Sequence, residues 1–206
     1  MPTFSVLEQF SVTALVLLGT LGILSACAMT VVLAKLMQFH GERIGSRRET
    51  DYAMQLLRSG DRASTFAFAK AGRGLRARAL AAAIDPAARP DAARLAAVRV
   101  AMDGLGDLTR FIRVLEAVVQ AAPMLGLLGT VVGMIEAFAA LAATTGAADP
   151  AVLAGGIWTA LLTTAIGLSV AIVFYFFSLW FETRIANERS AIDSILMEAL
   201  ALVTAR

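Results

Sequence analysis

The side chains with the most chemistry to offer are alcohols. In the apolar run AAPMLGLLGTVVGMIEAFAALAAT, Ala121–Thr144, Thr130 is the only hydroxyl of the middle, and Gly126, Gly129 and Gly133 lie around it. A second run, AGGIWTALLTTAIGLSVAIVFYFFSLWF from Ala154 to Phe181, sets Thr159, Thr163 and Thr164 among small residues. A threonine hydroxyl donates and accepts, so it orients water and stabilises a carboxyl group, but it carries no charge at neutral pH. Two neighbouring helices with such groups and almost no charge make a polar track, one wall of an ion pathway. The competing reading is that the hydroxyls bond back to their own helices and only pack. Spacing alone leaves both open.

A proton relay within a membrane needs an ionisable group. Of the chain's three apolar stretches, 10–34 and 154–181 contain no acid, base or histidine; 114–143 has Glu116 and Glu136. Glu136 is six residues beyond Thr130, roughly 9 Å along a helix axis. No carboxylate is level with the threonines, so if protons pass, one from a second polypeptide is expected. Glu136 can draw cations to an outer mouth, relay protons itself, or stand as a hydrated interfacial acid. Glu116, with Gln120 one turn on, is either an ion-pair partner of Arg113 or part of a ring at the pore base.

Glu116, Gln120, Pro123, Leu127, Thr130 and Met134 recur three or four apart, on one stripe. Pro123 cannot donate to the Val119 carbonyl, which predicts a polar spot and a bend. Gly129 and Gly133 have GxxxG spacing, and Gly156, Ala160, Thr164, Gly167 and Ala171 share one face; both patterns suit close helix packing. There is no P-loop, zinc spacing, nucleophile elbow or catalytic triad. The expectation is no enzyme, no metal and no cofactor.

The elements that must position these residues are membrane helices. The 206 residues are 58% hydrophobic and 17% charged, with mean hydropathy +0.74. A span needs roughly 20 apolar residues. The sequence predicts an all-α integral membrane protein: an outer N-terminus (1–9), a first span (10–34), a cytoplasmic helical segment (35–113), a second span (114–143), a short outer loop (144–153), a third span (154–181) and a cytoplasmic C-terminal helix (182–206). MPTFSVLE lacks the basic start of a secretory signal, so the first run reads as a retained span. Lys35 through Arg113 holds fifteen of the eighteen Lys and Arg, and the rest follow the third span. The positive-inside rule then gives N-out and C-in. The loop's fifteen bases are interspersed with eight acids, so retention of the loop inside and attraction to lipid headgroups explain the pI of about 9.1 better than nucleic acid does. Cys27 is alone and reads as a small packing residue, as do Gly19 and Gly22 of the first span.

Within the charged segment, Ser46 with Glu49 fits a capping box, Ser59-Gly60 ends that helix, Asp61 caps the next, and Gly72 and Gly74 interrupt it. Asp85–Pro90 is a turn. From Asp91, Leu95, Val98, Met102, Leu105 and Leu108 recur at helical spacing. With only Gly104 and Gly106 as weak breakers, one continuous helix is expected from about Asp91 to about Ala143. Glu182–Arg206 reads as a separate amphipathic helix.

APMLGLLGTVVGMIEAF followed by GIWTALLTTAIGL resembles the paired motifs of the ExbB/TolQ/MotA proton-channel family, and the three-span topology agrees over nearly the whole chain. ExbB and TolQ are closer than MotA. The resemblance implies a pentamer around two single-span ExbD/TolR-like helices whose aspartate takes up and releases the proton. It also implies an inner-membrane location and a role in TonB-type transport or Tol-Pal-type envelope maintenance, with a TonB/TolA-like protein as a further partner. Thr130 and Thr164 would face the pore near that aspartate, with Thr163 and Thr159 in the same lining. Many members have an acid where this chain has Thr159 and a proline where it has Val173. The alternative is a non-conducting membrane scaffold.

Overall fold

The structure is a computed structural model and describes residues 12–41, 48–143 and 150–204. Seven helices are described: α1 (Val12–Gly41), α2 (Arg48–Arg58), α3 (Arg62–Ala71), α4 (Leu75–Ala83), α5 (Pro90–Thr109), α6 (Ile112–Ala143) and α7 (Pro150–Thr204). The described residues contain no strand. Val12–Gly41, Pro90–Ala143 and Pro150–Thr204 each hold a stretch long and apolar enough to cross a membrane. This is what a bilayer demands, because a helix satisfies every interior backbone group within itself. The chain divides into an apolar unit, Met1–Val32 with Phe111–Ser178, and a charged unit, Leu33–Arg110 with Leu179–Arg206.

In the apolar unit, Leu21 of α1, Ala122 of α6 and Ala171 of α7 form a small buried cluster, flanked by Leu125, Ile166 and Val170. Phe174 is buried, while its neighbours Tyr175 and Phe176 are exposed. The first span departs from expectation. A methyl on Gly19 or Gly22 would meet nothing within 4 Å, and Cys27 is exposed. Gly19, Gly22 and Cys27 therefore pack on nothing among the described residues, whereas Ala28 of the same helix is buried. Thr20 and Thr30 bond back to Val16 and Ala26 at 2.8 and 2.9 Å, as packing threonines do.

In the charged unit, the local signals hold. Gly60 has φ 91°, a left-handed conformation that suits glycine, and it closes α2. Asp61 accepts a 3.0 Å bond from the Ser64 N–H at the start of α3. Hydrogen bonds from Ser64 hold the Asp61 carboxyl below the usual aspartate range. Asp85 accepts from Ala87 N at 2.9 Å to make the expected turn. Ser46 lies outside the described residues.

Three longer-range expectations fail. First, Asp91–Ala143 is not one helix. Arg110 leaves helical geometry and Phe111 has φ 67°. The break is not at the glycines: a methyl on Gly104 would come 2.2 Å from Leu75 Cδ1, so Gly104 is a packing site. The stop is instead held from a distance. Lys35, buried, donates its ammonium to the carbonyls of Asp107 at 3.1 Å and Leu108 at 3.0 Å and to Gln38 at 2.8 Å. A cation on the last carbonyls of a helix satisfies orphan acceptors and opposes the helix dipole.

Second, the unbroken helix is α7, 55 residues long, so Glu182 begins no new element. Third, α5 turns alanines inward. Ala93, Ala97 and Ala101 are buried with Leu108, whereas Leu95 is 74% and Met102 68% exposed. Small side chains let α4 lie close, leaving the larger apolar stripe uncovered by the described residues.

Distant parts of the sequence meet elsewhere in the charged unit. Arg76 of α4 makes a bidentate pair with Glu188 of α7, at 2.9 and 2.7 Å, largely buried. Phe39 and Phe181 meet edge to face with centroids 5.3 Å apart.

Candidate functional site: the seam between α6 and α7

The two threonine-bearing helices meet along a seam of small residues in the apolar unit. Added methyls show how close it is. On Gly126 one would lie 3.0 Å from Thr164 Cα; on Gly129, 2.3 Å from Thr163 Oγ1; on Gly133, 2.9 Å from Ala160 Cβ; on Gly156, 2.5 Å from Ala137 Cβ. On Gly167 it would lie 2.6 Å from the Ala122 carbonyl oxygen. In lipid, where apolar burial between helices gains little, such backbone proximity is a main source of association.

The hydroxyls fall into distinct settings. Thr164, partly buried, donates across the seam to the Gly126 carbonyl at 2.7 Å. Thr163 is buried against Gly129 and donates to its own helix, to Ala160 O at 2.7 Å. Thr130, partly exposed, donates to Leu127 O at 2.6 Å. Thr159 donates to Gly155 O at 3.0 Å. The structure therefore brings Thr163 and Thr164 directly onto the glycines of α6, while Thr130 and Thr159 keep their protons on their own helices.

Pro123 sits within α6, which continues through it. Its neighbour Ala122 is buried and is the residue that Gly167 approaches. Glu116 is half-buried and Gln120 exposed; among the described residues, Glu116 and Arg113 make no ion pair. Glu136 is held by α1, with Thr13 donating to its Oε1 at 2.5 Å. No group of three or more His, Cys, Asp or Glu among the described residues is arranged to hold a metal.

Residues 69–194, which contain the whole seam, match the model of the MotA/TolQ/ExbB proton channel family. The chain belongs to that family. Relatives include biopolymer transport protein exbB1 of Vibrio cholerae, 51% identical over 61 residues, covering 30% of this chain and 27% of that protein. An ExbB homologue of Methanothermobacter thermautotrophicus is 40% identical over 97 residues, 47% of this chain and 34% of its own length. An ExbB-like protein of Synechocystis is 36% identical over 92 residues, 44% of each. The matched stretches thus span under half of each relative.

Two members of this arrangement were not found from sequence. Thr13 looked like any hydroxyl at the start of an apolar run, and its contact with Glu136 joins residues 123 positions apart. Lys35 looked like the end of a span. Its one signal is being the first charge after that run, which does not reveal the carbonyls it reaches.

Proposed function

We propose that this chain is the pore-forming stator subunit of a proton-motive-force-driven energiser in a bacterial inner membrane, oriented N-out and C-in. Five copies surround two helices of a single-span ExbD/TolR-like partner, whose aspartate carries the proton past Thr130 and Thr164. Proton passage turns the inner helices and drives an envelope process, such as TonB-type transport or Tol-Pal-type maintenance, through a TonB/TolA-like protein. We assign no catalytic role. The observation that carries this reading is that Thr130 and Thr164 are partly exposed beside a glycine seam in the family-matched region. Among the described residues, neither is bonded to an acid or base.

The test is proton flux in vesicles containing chain and partner, comparing wild type, Thr164→Ser and Thr164→Val. An interhelical hydrogen bond in lipid is worth about 0.6 kcal/mol on average. The valine variant therefore keeps the hairpin folded, and lost flux reports on the pathway. The expected result is flux retained by serine and lost by valine; equal flux in all three rejects the threonine role.

The scaffold reading draws on one observation, the intrahelical bonding of Thr130, Thr159 and Thr163. It expects cells carrying Thr130→Val and Thr164→Val to keep full envelope function.

A further inference from the structure

Glu136 lies in a cleft within the apolar unit, bounded by all three apolar helices. The cleft has a volume of about 190 Å³, and its lining includes Ala14 and Leu17 of α1, Glu136 and Ala140 of α6, and Thr159 and Thr163 of α7. A water needs roughly 10–15 Å³ of such volume, so several fit. A carboxylate at membrane depth is costly unless hydrated or paired.

The surrounding hydroxyls have already committed their protons. Thr13 donates to Glu136 itself, and Thr159 and Thr163 donate to the carbonyls of Gly155 and Ala160. What each retains is acceptor capacity. A carboxylate together with hydroxyl oxygens whose protons are spent suits a cation and repels an anion. Among the described residues, neither α1 nor α7 contributes a titratable or charged group to the lining, and α6 contributes only Glu136.

We propose that this cleft is a hydrated site, within a single subunit, where Glu136 takes a small monovalent cation, a proton or Na⁺, with threonine oxygens completing its surroundings. The site is separate from the partner-borne carboxylate of the reading above, and its test uses the chain without a partner, so the two fail independently.

The experiment follows carbodiimide labelling of the chain in lipid vesicles with dicyclohexylcarbodiimide. Mass spectrometry reads the adduct on the Glu136 peptide, from about pH 5 to about pH 9, in Na⁺ or choline salt. Only the protonated carboxyl reacts, so the expected rate falls about tenfold per pH unit above its midpoint. A pH-dependent rate unaffected by Na⁺ identifies a proton site. One slowed severalfold by Na⁺ at constant pH, but not by choline, identifies a Na⁺ site. No Glu136 adduct at any pH, or a rate that neither pH nor Na⁺ changes, overturns the proposal. Ala140→Leu, which fills the cleft, and Thr159→Val, which removes an acceptor, are expected to slow wild-type labelling severalfold. Unchanged rates in both would also overturn it.

Discussion

At the scale of single residues, the seam separates glycines that are needed from glycines that are spare. Gly167 faces the Ala122 carbonyl so closely that a methyl would sit at 2.6 Å, against backbone that cannot swing aside. Gly167→Ala is expected to cost about 1–3 kcal/mol, the range for overpacking a close contact. Gly19→Ala and Gly22→Ala, which meet nothing within 4 Å, are expected to be neutral within about 0.5 kcal/mol. Denaturant titration in mixed micelles measures all three, and a neutral Gly167→Ala would contradict the packing. The small-residue pattern was legible in the sequence, because glycine spacing on a helix states which residues share a face. The pairing of Gly129 with Thr163 and of Gly126 with Thr164 was not, because it depends on the rotation and register of two helices. Thr159 and Thr163 were legible as polar positions, but their sharing a cleft with Glu136 was not.

At the scale of elements, the outcome divides by the range of the interactions. Gly60, Asp61 and Asp85 act on backbone within three residues, so their signals could be read directly. The break at Arg110–Phe111 could not, since Lys35 reaches Asp107 from 72 positions away. Lys35→Met keeps much of the side-chain volume but leaves the carbonyls of Asp107 and Leu108 without that donor. A buried group losing its partner costs about 1–3 kcal/mol. Hydrogen exchange is expected to quicken in the last turn of α5 and remain unchanged in α3; protection retained in α5 would rule out the capping role.

Acid should loosen the same unit for a different reason. Ser64 lowers the Asp61 pKa from 3.8, and hydrogen bonding from Arg58 lowers that of Glu198 from 4.5. A carboxyl depressed by folding contributes stability above its unfolded pKa and loses it as pH falls through its folded pKa. Melting temperature should therefore decline as pH drops below these unfolded values. Asp61→Asn, which can still cap without titrating, should show a shallower decline. An identical slope would remove Asp61 from the account.

At the scale of the whole molecule, the three apolar helices and the charge asymmetry could be read from composition, since lipid imposes a length and a polarity that few soluble folds share. The apolar stripe on α5 could not be assigned an orientation. Periodicity shows that Leu95, Val98 and Met102 lie together but not whether they face inward, and alanine occupies the inward face. This charged unit thus leaves large apolar side chains uncovered, which the proposed five-copy assembly would bury. Replacing all three with glutamine removes apolar side chains without opening a cavity within the chain. At about 1.5–3 kcal/mol for each fully buried side chain, losing about half of that at each of the three weakens association by roughly fifty- to two-thousandfold. Native mass spectrometry of the chain released from detergent measures the result. The wild type is expected as a closed ring of five and the triple variant as smaller species, with the helical content of the two unchanged. If the variant keeps the wild-type stoichiometry, the stripe is not the interface of the proposed assembly, and the apolar unit becomes its candidate, where Gly19 and Gly22 offer α1 a close approach to a neighbouring helix.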